Sequence, residues 1–239
     1  STRVELDGEQ LNRLAIGHNG DRELASSWEF GALAGAGALY STSRDLLALL
    51  RVHIDPRRSS LRPAIELARA TRQALAPMDG AIGLGWHIRP DGTHWHRGQT
   101  GGYYSFIAYH REQKLAVVLL ANTATWIGDD LAERLLGAAR GEWRRLDLPQ
   151  TAEVAPAALA RYAGVYRPFL GKPLTLTVRD GQLVGRTRAL GSFRLYPLSD
   201  SEFYLRVLRA RVVFTSAGER VTGLDYSAGG RQLRAEREP

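Results

Sequence analysis

Between Trp95 and Thr123 the chain reads WHRGQTGGYYSFIAYHREQKLAVVLLANT, and few folds accept that pattern. Ser105–His110 and Leu115–Ala121 are two runs rich in aromatic and β-branched residues, separated by the polar tetrapeptide Arg111-Glu112-Gln113-Lys114. Two such runs with a short polar connection make an antiparallel hairpin, and their near-continuous apolar character places them in a core. Trp95–Gln99 precedes them as a further strand and ends in Thr100-Gly101-Gly102, a turn at which two glycines could take positive φ.

The flanking sequence extends this into a meander. Strands are expected at Gly83–Ile88 and Thr93–Gln99, joined by Pro90-Asp91-Gly92, with neighbours pairing antiparallel. Residues 14–18 read as a short strand, and Asp21–Phe30 as a polar-to-aromatic loop. Thr42-Ser43-Arg44-Asp45 has the spacing of a capping box and starts a helix through Leu46, Leu47, Leu49 and Leu50, which Asp55-Pro56 ends. A second helix is expected from near Ser60, with Pro63 in its first turn, through Ile65, Leu67, Ala68 and Leu75, closed by Pro77 and Gly80. Asp129 and Asp130 mark the first turn of a third. Its stripe of Leu131, Leu135, Ala138, Ala139, Trp143 and Leu146 should lie against the sheet, with Arg144 and Arg145 near its end.

Leu148–Pro156, LPQTAEVAP, has a linker's content of proline and small residues, and the pattern changes after it. Short alternating strands follow at Tyr162–Tyr166, Leu174–Val178, Leu183–Thr187, Phe193–Pro197, Phe203–Val207, Arg211–Thr215 and Gly223–Ser227. Turn pairs such as Asp180-Gly181, Ser199-Asp200, Ala217-Gly218 and Gly229-Gly230 punctuate them. Strands at this spacing make a small sandwich or barrel. The expected division is 1–147, a linker at 148–156, and a β-domain at 157–239.

Composition narrows the functions. No run reaches the roughly 18 apolar residues of a membrane span, and no signal peptide is visible at the start. Cysteine is absent from the 239 residues, which excludes disulfides, thiolate zinc ligands and a thiol nucleophile. The net charge of +7 comes from arginines scattered among acids and apolar residues, without the basic and aromatic clustering of a nucleic-acid surface.

The segment around Thr100-Gly101-Gly102 resembles the third signature of the serine β-lactamase and penicillin-binding-protein superfamily, most closely its class C β-lactamase and esterase branch. There a strand K-T-G-S-T-G-G-F/Y leads on to V-x-L-A-N. Aligned on Thr100-Gly101-Gly102 and on Leu120-Ala121-Asn122, the K-T-G triplet falls on His96-Arg97-Gly98. This H-x-G form resembles the one in esterases, D-aminopeptidases and other non-lactamase relatives. Ala34–Leu50, AGAGALYSTSRDLLALL, resembles the family's A-G-G-L-x-S-T-x-x-D-L helix entry, and Leu14-Ala15-Ile16-Gly17-His18 its L-A-x-G-Y/H strand. Arg161-Tyr162-Ala163-Gly164-Val165-Tyr166, with Phe214, resembles the lipocalin-like domain often fused after such a hydrolase domain. The resemblance implies an α+β chain: the later part of a β-lactamase/transpeptidase-like fold, with an antiparallel sheet flanked by helices, followed by a small antiparallel β-barrel or sandwich.

The family's chemistry needs a serine with a lysine three residues on, so that both share a helix face and the amine assists deprotonation of the hydroxyl. No S-x-x-K occurs here, since the two lysines are Lys114 and Lys172, and Y-x-N is absent as well. The resemblance places both before Ser1, which makes the chain the later part of a longer enzyme. Its implied contribution is an active-site edge with His96 and Gln99 as catalytic positions, Gln99 through its backbone N–H as one oxyanion donor. Gly98, Thr100, Gly101 and Tyr103 are implied in substrate binding, although an aromatic after a glycine turn also packs readily on a sheet.

His96 replaces a fixed positive charge by a ring that is largely neutral near pH 7, and Arg97 should point to the other face. After L-A-N, the stretch TATWIGDD offers neither the Asn nor the Arg of the class C carboxylate site. The implied substrate is therefore a small-molecule ester, amide or peptide rather than a β-lactam, with no cofactor.

Several residues have plainer readings. His94 and His96 alternate on one strand and could pair on a metal with His87 as a third ligand, against the reading of hydrogen-bonded strand histidines at a cleft. His18, His53 and His110 read as surface or core-edge residues, Asn122 as a structural cap, and Gly31–Gly37 as close packing or a tight wall.

The expected partners are the acyl substrate and the missing N-terminal part of the same enzyme. The expected setting is periplasmic or secreted. Alone, the chain should not turn over. The rival reading is a non-catalytic ligand- or partner-binding module.

Overall fold

Both faces of the central hairpin are apolar because both are covered. In the computed structural model, which describes residues 2–75, 80–125, 127–145, 149–188, 191–206, 210–228 and 231–239, two units are distinguished: 1–124 with 128–146, and 125–127 with 147–239. The expectations at Pro77, Leu146, Leu148, Val207 and Gly229-Gly230 fall outside the described residues.

In the first unit the sheet is an antiparallel meander in chain order: β1 (Gln73–Ala74), β2 (Ala81–Ile82), β3 (His87–Ile88), β4 (His94–Gln99), β5 (Tyr104–His110) and β6 (Leu115–Ala121). The β5–β6 register runs from Tyr104 opposite Ala121 to His110 opposite Leu115, with Lys114 at φ 52° in the connection. Alternation then sorts the side chains. Tyr104, Phe106, Ala108, Leu115 and Val117 pack with Ala132 and Leu136 on one face. Tyr109, Ile107, Ala116 and Val118 pack with Leu50, Ile54, Ala68 and Trp86 on the other. Each large apolar side chain withdrawn this way contributes roughly 1.5–3 kcal/mol before entropy is counted.

The covers come from α2 (Ser43–Ile54), α3 (Arg62–Arg69) and α4 (Ile127–Ala139), whereas the short α1 (Gly8–Asn12) buries none of its residues. Thr42 caps α2 by accepting from Asp45 N at 3.2 Å, while the Asp45 carboxylate takes a bond from Thr2 Oγ1 instead of closing the box. The small α1 has a complete box, Asp7 with Gln10, a D-x-x-Q signal that the sequence reading passed over.

Several expectations are corrected. Helix α3 stops at Arg69, well short of Leu75, because its last carbonyls are taken from outside: Leu84 N donates to Ala68 O, and Arg72 to Leu67 O. Gln73–Ala74 pair as strand instead. Of the expected strand Gly83–Ile88 only His87–Ile88 pairs, and residues 14–18 form no strand, only bridges at His18. Helix α4 presents Gly128, Ala132 and Leu136 to the sheet, whereas Leu131 is partly exposed. It ends at Ala139, with Gly141 at φ 86° close behind, so Trp143 lies beyond it, 85% exposed, and Arg144 and Arg145 are not helical.

Of the surface and core-edge readings of His53, the surface one fails. His53 is buried between Trp86 (ring centroids 5.0 Å apart) and Tyr109 (5.2 Å). Gly31–Ala36 forms 3₁₀ turns, and Gly31 and Gly35 look onto open space, so the segment is not closely packed; only Gly37 has a near neighbour, the Phe30 ring.

The second unit is a closed antiparallel barrel preceded by α5 (Pro156–Leu159). Its strands are β7 (Gly164–Phe169), β8 (Lys172–Arg179), β9 (Gln182–Thr187), β10 (Gly191–Pro197), β11 (Glu202–Leu205), β12 (Ala210–Ala217), β13 (Arg220–Ala228) and β14 (Arg231–Arg237). Consecutive strands are neighbours, and β14 closes on β7 through Glu236–Arg167 and Arg237–Tyr166. The lipocalin-like expectation is consistent with this barrel.

Inward positions carry Tyr166, Phe169, Leu174, Leu176, Leu183, Phe193, Leu195, Phe203, Phe214, Leu224 and Tyr226. The Tyr162 ring stacks on Phe214 at 4.1 Å, and the Tyr166 hydroxyl donates to Tyr162 O. Asp180 and Gly181, at φ 49° and 71°, form the tight turn that their sequence announces. The eighth strand, β14, was not foreseen: RQLRAER offers only Leu233 and Ala235 as apolar residues, and Ala235 alone of the two is buried.

Candidate active site

Strand β4 is covered on one side and open on the other. β5 pairs along its whole length, from His94 opposite Tyr109 to Gln99 opposite Tyr104. β3 reaches only His94 and Trp95, so among the described residues no strand pairs with residues 96–99 on that side. Backbone N–H groups alternate in direction along a strand. Thr100 N donates to Tyr103 O across the β4–β5 turn, so the N–H of Gln99 points the other way, off the open edge. The Gln99 side chain turns inward, with Oε1 buried and unpartnered.

His96 is exposed on this edge. Removal of water from part of the ring lowers its pKa below 6.5, and the nearby His87 lowers it further, so the imidazole is neutral at pH 7. Arg97 points to the other face and pairs with Asp129 in the first turn of α4. Asp129 also accepts from the Tyr104 hydroxyl at 2.6 Å, and burial with this bond raises the Tyr104 phenol above its ordinary range. Gly98 lies against Ser105, where a Cβ would sit 3.1 Å from Oγ.

The glycine turn works differently from the expectation. Neither Gly101 nor Gly102 has positive φ. They are small because other backbone crosses them: a Cβ on Gly101 would collide with Ser26 O and sit 2.7 Å from Trp28 Cδ1, and one on Gly102 would sit 2.8 Å from Gly17 Cα. The Tyr103 hydroxyl donates to Ala15 O at 2.7 Å and its ring rests on Gly17, so this side chain is committed to holding residues 15–17. Asn122 helps: its Nδ2 donates to Ile16 O, and its carbonyl accepts from His18 N. Trp28, which stands at the turn and is more than half exposed, went unrecognised because nothing in its loop sequence marks contact with Gly101.

His94 and His96 do not converge. Both ring nitrogens of His94 face carbonyl oxygens, Gly92 O at 3.0 Å and Arg69 O at 3.1 Å, and the ring stacks on Tyr109. Among the described residues no group of three or more His, Asp or Glu is arranged to hold a metal ion, and no helix is long and apolar enough to cross a membrane.

Solved structures show similarity, and three of them can be named. The octameric penicillin-binding protein homologue from Pyrococcus abyssi matches 99% of this chain at 20% identity and a TM-score of 0.51, and so shares its fold. SurE matches 94% at 25% identity with a TM-score of 0.45, and SurE with D-Leu the same share at 25% and 0.42. The chain spans 55–56% of the length of these structures. No curated protein matches it. The Beta-lactamase family model matches residues 1–142, the stretch that contains the whole meander and the open edge of β4, and the chain belongs to the β-lactamase family.

Proposed function

We propose that the open edge from His96 to Gln99 is one wall of an acyl-transfer site in a β-lactamase-like serine hydrolase. A serine contributed by a polypeptide segment outside this chain attacks the carbonyl of an ester, amide or peptide. The carbonyl π electrons move onto oxygen, and the Gln99 N–H donates to that oxyanion together with the nucleophile's own N–H. Collapse expels the alcohol or amine, which takes up the proton that the serine hydroxyl gave to a base of its own segment, and leaves an acyl-serine, which water then hydrolyses. The direction of the Gln99 N–H, off an unpaired edge within the family match, carries this reading. Such a donor contributes about 3 kcal/mol to the transition state.

The substrate is an ester, amide or peptide rather than a β-lactam. His96 is neutral at pH 7 and the Arg97 guanidinium is held by Asp129, which leaves this edge without the fixed cation that a β-lactam carboxylate requires. Gly98 lets the acyl group approach the strand, while Thr100 and Gly101 shape the turn beyond it. A periplasmic or secreted setting accompanies this reading.

A fluorophosphonate probe tests the proposal. The chain alone should remain unlabelled, and a longer polypeptide that carries S-x-x-K ahead of it should be labelled at that serine. Gln99→Pro removes the edge N–H without breaking a ladder bond, and should slow labelling of that polypeptide on the order of 10²-fold. Labelling of a serine within this chain by itself would sink the assignment.

A further inference from the structure

We propose that His87 is a positioning residue for His96: it crowds the His96 imidazole across the β3–β4 edge and keeps it an uncharged hydrogen-bonding group, so that this position accepts neutral acyl groups and rejects carboxylates. The proposal rests on the acyl-site reading of the His96–Gln99 edge.

His87 is held firmly. It sits opposite Trp95 in the register, and its ring stacks on that indole with centroids 4.6 Å apart and planes at 24°. Its Nδ1 is buried without a hydrogen-bond partner. The ring centre lies 6.0 Å from that of His96. Two imidazolium ions at this separation repel, and the partly dehydrated edge screens them less than bulk water would.

The other charged groups around His96 are engaged elsewhere. On β4, Arg97 is paired with Asp129 of α4. At the end of β3, Arg89 is bonded to Glu133 of α4 and lies over the Trp95 ring. β5 presents Ile107 opposite His96. On the face of α2 and α3, the His94 ring nitrogens lie against the Gly92 and Arg69 carbonyls, His53 lies among Trp86 and Tyr109, and Glu66 is paired with Arg69. His87 is thus the titratable ring that faces His96.

The sign follows. A pKa below 6.5 leaves His96 neutral at pH 7 and lets it become a cation only on acidification, so affinity for a carboxylate rises as pH falls. Dehydration of the ring is the larger cause of this lowering and remains without His87; removing the His87 ring nitrogens lifts only the repulsive part, so the His96 midpoint moves upward.

The test is an NMR titration of the His96 ring in the chain, with His87→Phe and His87→Gln variants. His87→Phe preserves a ring to stack on Trp95 and lacks the charge, so a purely structural role for His87 predicts no change in it. The wild-type midpoint should lie below 6.5, and both variants should shift it upward. Sodium propionate, a simple carboxylate probe, should perturb the His96 resonance near neutral pH more strongly in the variants than in the wild type. A wild-type midpoint at or above 6.5, an unshifted midpoint in folded variants, or an equal response to propionate would each overturn the proposal. Serine labelling of the chain alone would overturn the acyl-site reading while leaving this titration unchanged, so the two failures are distinguishable.

Discussion

The ring of Tyr104 occupies the space that a Cβ on Gly128 would need, so the first turn of α4 meets β5 only with glycine at that position. Tyr104 is 1% exposed and anchored through its hydroxyl to Asp129, so it has no rotamer to retreat into. Gly128→Ala should therefore destabilise the first unit by about 1–3 kcal/mol through overpacking, despite alanine's better helix propensity. Urea denaturation checks this: the midpoint should fall with little change in slope.

His53 gives the fold an acid sensitivity. Burial lowers its pKa below 6.5 and the nearby His94 lowers it further, so the folded state resists a proton that the unfolded chain accepts. The sign is that of a depressed histidine: its contribution is intact above pH 6.5 and lost as pH falls from there through the folded value. His96 adds in the same direction. Melting temperatures recorded from about pH 7.5 down to pH 5 should fall less steeply for His53→Phe than for the wild type.

Asn122 ties the end of β6 to the segment 14–18. Asn122→Ala removes the donor to Ile16 O while leaving the carbonyl that accepts from His18. The site is solvent-accessible, so the loss should be small, about 0.5–1.5 kcal/mol. Its local mark should be clearer: hydrogen exchange should accelerate at His18 and Ala124, whose amides hold this junction, and remain unchanged in the barrel.

The strands β4, β5 and β6 were legible because their apolar runs and polar turns leave one plausible pairing, and the expected Ser105–His110 strand differs from the observed one by a residue. Seven barrel strands were legible for the same reason: alternation with a turn pair at each end. β14 was not, because among its charged and polar residues it carries only Leu233 and Ala235 as apolar ones, and of these Ala235 alone is buried. The length of α3 was misread because propensity continues through Leu75, whereas hydrogen bonds from Leu84 and Arg72 end the helix earlier. Around the edge, the glycines could be found from sequence but their reason could not. Gly101 and Gly102 suggest a turn, whereas the backbone that crosses them comes from residues 17 and 26, far away in the chain. His87 was visible only as a possible ligand, since its distance to His96 depends on the β3–β4 register.

In the barrel, Phe214 touches three aromatic rings, Tyr162 at 4.1 Å, Phe203 at 5.4 Å and Tyr166 at 5.8 Å. Phe214→Ala leaves a cavity that rigid strands on every side cannot close, and should cost about 3–5 kcal/mol. Phe214→Leu, which retains most of the volume, should cost less. Guanidinium denaturation followed by far-ultraviolet circular dichroism checks the order of the two variants.

Gly101 offers the sharpest contrast between two glycines. A methyl group there meets the Ser26 carbonyl and the Trp28 ring, and a backbone oxygen cannot swing aside as a flexible side chain can. Gly35 faces open space, and its φ is one that L residues adopt. Gly101→Ala should therefore destabilise by about 1–3 kcal/mol, and Gly35→Ala should stay within about 0.5 kcal/mol of the wild type. The two differ in place as well as size. The strain at Gly101 is released by parting the 100–102 turn from the 26–28 loop, so the indole of Trp28 should become more exposed, which quenching of tryptophan fluorescence by iodide can detect. Equal stability of the two variants would show that residues 26–28 yield to the turn rather than brace it.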